Sequence, residues 1–174
     1  GDLSNYEWSA NYTAIMANPA FMLSARQDTD TDLVPVVMDT GCSFAVTFSL
    51  DDYYCPPHFG DFGTIKQVDG TKSNITGHGI GAFQVPNNKG ELVTMTMPMF
   101  YVPDCRQRLM SPQDYAAFHD LPKSIDAKAY YGNSAFFSIK LQEGNGIFTV
   151  NINSASNIPI ALMEPLKISC RPPK

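Results

Sequence analysis

The sequence predicts an all-β domain carrying one short helix. Three observations lead there. Twelve glycines and thirteen prolines are spread along the 174 residues, a punctuation that suits many short strands and few helices. Several runs alternate apolar and polar residues at period two, and Asp69-Gly70 separates two of them, a strong hairpin signal. One segment, opening at Ser111-Pro112, has the cap and first-turn chemistry of a helix.

In chain order, residues 20–25 read as a first strand and 26–32 as an acidic hairpin connection. Asp28, Asp30 and Asp32 alternate there with threonines, without the glycine and distal glutamate of a calcium loop. Residues 33–38 form a compact apolar run, a buried strand. In 44–49, Phe44, Val46 and Phe48 share one parity. Residues 51–63, rich in aromatics, prolines and glycines, read as a surface loop with a short helical turn. Segments 65–68 and 72–75 flank Asp69-Gly70, and 80–85 is the next strand, ended by a turn at 86–90.

Residues 92–102 place Val93, Met95, Met97 and Met99 on one packed face. Pro98 predicts an edge or a bulge in the later half of that strand. The helix follows, with Ser111 as N-cap, Pro112 at N1 and Asp114 three residues after the cap, and it stops before Pro122. Phe137, Ile139 and Leu141 mark a further strand. Residues 143–146 turn the chain, Phe148, Val150 and Ile152 line the return, and 158–163 add one more strand. The expected organisation is a main domain over 1–122 and a strand-rich C-terminal extension, 123–174, packed on it.

Composition excludes several function classes. Hydrophobic residues are 44% and charged residues 17% of the chain, which excludes a disordered protein. Net charge is −5, and Arg106 with Arg108 is the densest basic gathering, so no nucleic-acid partner is expected. No apolar run approaches the ~20 residues of a transmembrane helix, and no secretory leader is visible. No membrane partner is expected, and an intracellular location is. Cys42, Cys55, Cys105 and Cys170 are far apart and form no paired ligand motif, so no metal and no cofactor are expected. Thiols in a reducing compartment are preferred over two disulfides in a secreted domain.

The chemistry concentrates in Val36-Val37-Met38-Asp39-Thr40-Gly41-Cys42-Ser43. A buried strand runs straight into an acid, and burying a lone carboxylate is expensive unless it is paired or hydrogen-bonded. Gly41 permits a tight turn and the close approach of another backbone. Thr40 and Ser43 supply hydroxyls able to hold the carboxylate or lock the loop. An Asx-turn that merely ends the strand is the alternative.

Asp39-Thr40-Gly41-Cys42-Ser43 resembles the catalytic loop of aspartic proteases. The block from Tyr101-Val102-Pro103 to Leu109-Met110-Ser111 resembles the one that follows that loop in proteases of copia-type retrotransposons. Between them, Val68-Asp69-Gly70 and the Gly77 to Ala82 run are similar to that family's hairpin and its Gly-x-Gly strand. The resemblance spans about residues 20–118. It implies a retropepsin-like fold, a closed barrel-like all-β architecture with one short helix, here followed by the C-terminal β extension.

The resemblance also implies an aspartic endopeptidase active as a homodimer, because each chain brings one such loop. Asp39 from each copy would share one proton and activate water. Thr40 would brace the paired loops, Gly41 would lie beside the substrate backbone, and Ser43 would support the loop. Val68, Asp69 and Gly70 would form the flap over an extended peptide. Leu109 and Met110 would pack in a buried loop behind the catalytic turn. The substrate would be a retrotransposon or retrovirus-like polyprotein, cut in the cytoplasm or within virus-like particles.

Two rivals accompany this expectation. One is a non-catalytic retropepsin-like module that binds peptides or proteins. The other makes Cys42, which stands where alanine is more usual, a nucleophile; it needs His58, His78 or His119 as base.

Overall fold

Among the described residues the protein is mostly β, with 51% of them in strands, and six strands close into a barrel beside one short α-helix. The computed structural model describes residues 7–9, 32–66, 70–121, 129–153, 155 and 157–166. The strand expected at 20–25 lies outside them, as does the turn after it up to residue 31.

The first half supplies β1 (Glu7–Ser9), β2 (Val34–Met38), β3 (Ala45–Thr47), β4 (His58–Phe59), β5 (Thr64–Lys66), β6 (Lys72–Asn74) and β7 (Gly77–Pro86). The second half supplies β8 (Leu92–Tyr101), β9 (Arg108–Met110), helix α1 (Pro112–Phe118), β10 (Tyr130–Gly132), β11 (Phe136–Lys140), β12 (Ile147–Asn153) and β13 (Ile158–Pro165).

The barrel runs β13-β2-β9-β3-β8-β7 and returns to β13. β9 is inserted between β2 and β3. It pairs in parallel with β2 through Val37↔Leu109 and antiparallel with β3 through Val46↔Leu109. β3 runs parallel to β8 from Ala45↔Met99 to Thr47↔Tyr101. β8 and β7 form a long antiparallel hairpin from Gly77↔Tyr101 to Pro86↔Leu92. β13 closes the ring, antiparallel to β2 from Ile160↔Val37 to Met163↔Val34, and to β7 at Glu164↔Gln84. From β13 the sheet continues through β12 and β11 to β10. Residues 158–165 of the C-terminal part are therefore a stave of the barrel.

β2 has no polar face because both of its faces are covered. Val36 and Met38 join a cluster with Met95, Met97, Met99 and Phe83. Val37 joins a second cluster with Val46, Leu109, Cys42, Ile65 and Ile75 on the opposite face. Met95, Met97 and Met99 are each buried to within 2%, as their shared parity predicts.

The proline in β8 behaves differently from expectation. The later half of β8 is paired on both sides, by β7 and by β3. Pro98 is accommodated because the parallel pairing with β3 begins one residue later, at Met99.

Segment 51–63 holds more structure than a loop. A 3-10 turn at Leu50–Asp52 is capped by Ser49, and β4 pairs with β7 through His58↔His78. Above that pairing the Gly60 amide donates to the Thr76 carbonyl at 3.1 Å, and the Phe62 amide to that of Ile75 at 3.0 Å. β5 and β6 carry on to Lys66↔Lys72. The result is a two-stranded arm rising from His58 and His78, with β1 alongside β5 in parallel. Among the described residues, no helix is long and apolar enough to cross a membrane.

Candidate functional site

The turn at Asp39 is the end of β2. The Asp39 amide donates to the Met110 carbonyl at 3.0 Å, which carries the β2–β9 ladder one residue further. The Cys42 amide then donates to the Asp39 carbonyl at 3.2 Å and closes the turn. The carboxylate is half-buried. Its Oδ1 accepts the Gly41 amide at 2.8 Å, and its Oδ2 accepts the Cys42 thiol at 3.3 Å. The bond to the Gly41 amide is the Asx-turn anticipated as the alternative reading, and the residue is left partly exposed.

The turn is locked from behind by α1 and the residue before it. Ser111 Oγ donates to the Cys42 carbonyl at 2.8 Å and accepts the Asp114 amide at 3.2 Å, so one hydroxyl caps the helix and holds the turn. Gln113 Nε2 donates to the Thr40 carbonyl at 2.8 Å and also to that of Cys42. The hydroxyl that locks this loop thus comes from Ser111. Thr40 and Ser43 are exposed. Ser111 is legible in the sequence as an N-cap but not as a clamp, and Gln113 carries no sequence signal of its role.

Leu109 and Met110 are fully buried, in a strand where a loop was expected. The entry to β9 is pinned by charge. Arg108 Nε donates to Asp52 Oδ2 at 2.6 Å and Nη2 to Oδ1 at 3.2 Å, with Asp52 fully buried. Thr47 Oγ1 donates to the same carboxylate at 2.5 Å, and the Arg108 guanidinium lies 4.7 Å above the Phe48 ring. This bidentate pair ties β3, β9 and the 3-10 turn together.

Of the three expected flap residues, Gly70 sits at the tip of the arm with φ +87°, a conformation glycine adopts without strain. Val68 and Asp69 lie outside the described residues. The glycines at 77, 79 and 81 lie within β7, below the tip.

Two cavities meet the Asp39 turn. One, of about 560 Å³, touches its end at Ser43 and Phe44 and reaches His58, His78 and Ile80 at the base of the arm. Asp114 also lines it, and burial pushes that carboxyl above its ordinary value. The other, of about 530 Å³, touches the start of the turn at Asp39 and Thr40, and its far wall comes from Tyr131, Asn133, Asn157 and Pro159. Tyr115 couples α1 to the C-terminal strands: its hydroxyl accepts the Gln142 amide at 2.9 Å, and burial pushes its phenol up to about 12.

His58 and His78 face each other, ring centres 5.3 Å apart, at the base of the arm, and His119 bonds Thr96 across α1 and β8. Cys42 is buried and its thiol points at Asp39. Cys42, Cys55 and Cys105 are thiols. Among the described residues, no three His, Cys, Asp or Glu side chains come together as a metal-holding group.

The fold and the turn define a closed-barrel β protein whose Asp39 carboxylate lines one cavity, with a second cavity at the far end of the same turn. No family model, no curated protein and no solved structure matches the chain.

Proposed function

We propose that the chain is an aspartic endopeptidase of the retropepsin type, active as a homodimer on a retrotransposon or retrovirus-like polyprotein. The carrying observation is the insertion of β9 between β2 and β3, which leaves Asp39 at the end of β2 with a half-open carboxylate. The arm that ends at Gly70 supports a flap, and the two cavities support an extended peptide passing the turn. The polyprotein would be met in the cytoplasm or inside virus-like particles.

In this mechanism the Asp39 carboxylates of two copies lie together and share one proton, because two adjacent carboxylates do not both ionise readily. The ionised one takes a proton from water as the water oxygen bonds to the scissile carbonyl carbon. The protonated one hydrogen-bonds the carbonyl oxygen as negative charge develops there. The C–N bond then breaks as its nitrogen takes up a proton.

Cleavage of a mixed peptide library at about pH 5, read by mass spectrometry, tests this with wild type and Asp39→Asn at several protein concentrations. Wild type is expected to cut, with specific activity rising with concentration. The variant is expected to lose ~10²–10⁴-fold or more, the span of acid–base catalysis. A folded wild type that stays inert at high concentration overturns the proposal, as does an equally active Asp39→Asn. The optimum is expected at about pH 4–6, and a flat profile up to about pH 9 counts against the shared-proton dyad.

A further inference from the structure

We infer that the cavity at the start of the Asp39 turn is a side-chain subsite whose selectivity is set by the C-terminal part of the chain, and that it takes a large uncharged side chain of the peptide. This rests on the proposed peptidase or peptide-binding site at Asp39. Met38, Asp39 and Thr40 form one side of the cavity, and every other described lining residue comes from beyond residue 129. The strands that bring those residues there also complete the barrel, since β13 pairs with β2 directly behind Asp39. The wall is thus fixed relative to the carboxylate by the same ladder that holds the turn.

The lining chemistry selects the occupant. Tyr130, Tyr131, Phe137, Ile158 and Pro159 offer aromatic and aliphatic surface. The stacked Tyr130–Phe137 rings, with centres 6.2 Å apart, and the edge-on Tyr131–Phe136 pair at 5.8 Å give that surface a set shape. Asn133 and Asn157 are the amides on the wall, and among the described lining residues Asp39 is the sole ionisable side chain besides the tyrosines. An acidic side chain would be repelled by Asp39 and would find no cation among the described lining residues. The volume, about 530 Å³, is ample for an aromatic ring, which needs about 150 Å³. The hairpin behind the wall is tightly built: a Cβ on Gly132 would meet Phe137 Cδ2 at 2.9 Å and the Phe136 carbonyl at 3.1 Å.

Tyr131 is the residue to vary, because it is 51% exposed and on the outermost strand, where truncation leaves the barrel pairing intact. Matched peptides differing at one position, phenylalanine, alanine or glutamate, are assayed in two arms. The first measures kcat/KM for the full-length wild type, Tyr131→Ala and Tyr131→Phe. The second measures equilibrium binding of the same peptides, by fluorescence polarisation, to the Asp39→Asn forms of all three. Leu92→Ala, a distant change at the β7–β8 turn, is the control in each arm. The phenylalanine peptide is expected to be preferred over the other two, and Tyr131→Ala to reduce that preference about tenfold, the scale of losing pocket contacts. Tyr131→Phe should retain it.

If wild type cuts but Tyr131→Ala keeps the same preferences, the subsite is overturned and the peptidase reading stands. If nothing is cut but the binding arm shows the Tyr131-dependent preference, the subsite stands and catalysis falls. Absence of discrimination in both arms overturns the subsite.

Discussion

The Ser111 hydroxyl lies 2.8 Å from the carbonyl of Cys42 and is buried with it. That contact joins the start of α1 to the turn carrying Asp39, across a sequence separation of 69 residues. One side chain therefore caps the helix and helps to hold the turn.

Ser111→Ala is expected to lower stability by about 1–2 kcal/mol, the cost of losing a helix cap. Gln113 still donates to the Cys42 carbonyl, which keeps the loss from growing to that of an orphaned buried acceptor. Urea denaturation gives the value. Peptide cleavage should fall more than stability alone accounts for, because the turn loses its clamp while the protein remains folded.

Arg108→Met leaves the fully buried Asp52 carboxylate without its cation, and should cost about 3–5 kcal/mol. Adding Asp52→Leu should recover part of that loss, since an apolar pair of similar volume removes the unpaired charge. A double-mutant cycle from equilibrium unfolding checks both numbers. Equal stability of the single and double variants would show that the charge is not what matters at β9.

Burial raises the Asp114 carboxyl above its unfolded value. The protonated form is thus favoured in the folded state. That contribution is fully present below the unfolded pKa and is lost as pH rises through the raised, folded one. Asp114→Asn should therefore gain stability relative to wild type as pH climbs through and above the ordinary aspartate range, about pH 4. Thermal midpoints of both proteins across acidic pH read this directly. A difference that does not change with pH, or one of opposite sign, refutes the assignment.

Gly70 has φ +87°, and a Cβ built on it meets no atom of the described residues within 4 Å. Gly70→Ala therefore brings backbone strain and no clash, with a cost of about 1 kcal/mol confined to the tip of the arm. If the arm closes over a peptide, KM should rise while the unfolding midpoint barely moves. Steady-state kinetics beside a thermal melt separate the two effects.

Local chemistry was legible in the sequence where it acts over a few residues. The cap at Ser111, the one-faced methionines of β8, the hairpin around Gly70 and the turn at Asp39 all followed from spacing alone. What escaped was pairing at a distance. β9 has three residues and begins with an arginine, so nothing in its pattern marks a strand lodged between β2 and β3. Its arginine reads as a surface charge until Asp52, 56 residues earlier, is found beside it. Period-two patterning detects a strand but does not name its neighbour, which is why the pairing of β13 with β2 and β7 could not be read. The wall of the Asp39 cavity was hidden for the same reason, since Tyr131 and Asn157 reach it through that pairing.

The closure of the ring by β13 has a consequence for biosynthesis. Met163 is translated 129 residues after Val34, yet they are register partners. A chain emerging from the ribosome carries Asp39 long before the strand that flanks β2 exists, so the turn has no finished scaffold during translation. Such long-range pairing slows folding, because the loop must be closed before its contacts repay the entropy lost. The nascent protein should therefore mature in a single late step, after the last stave is released, and any cutting power at Asp39 would be delayed until then.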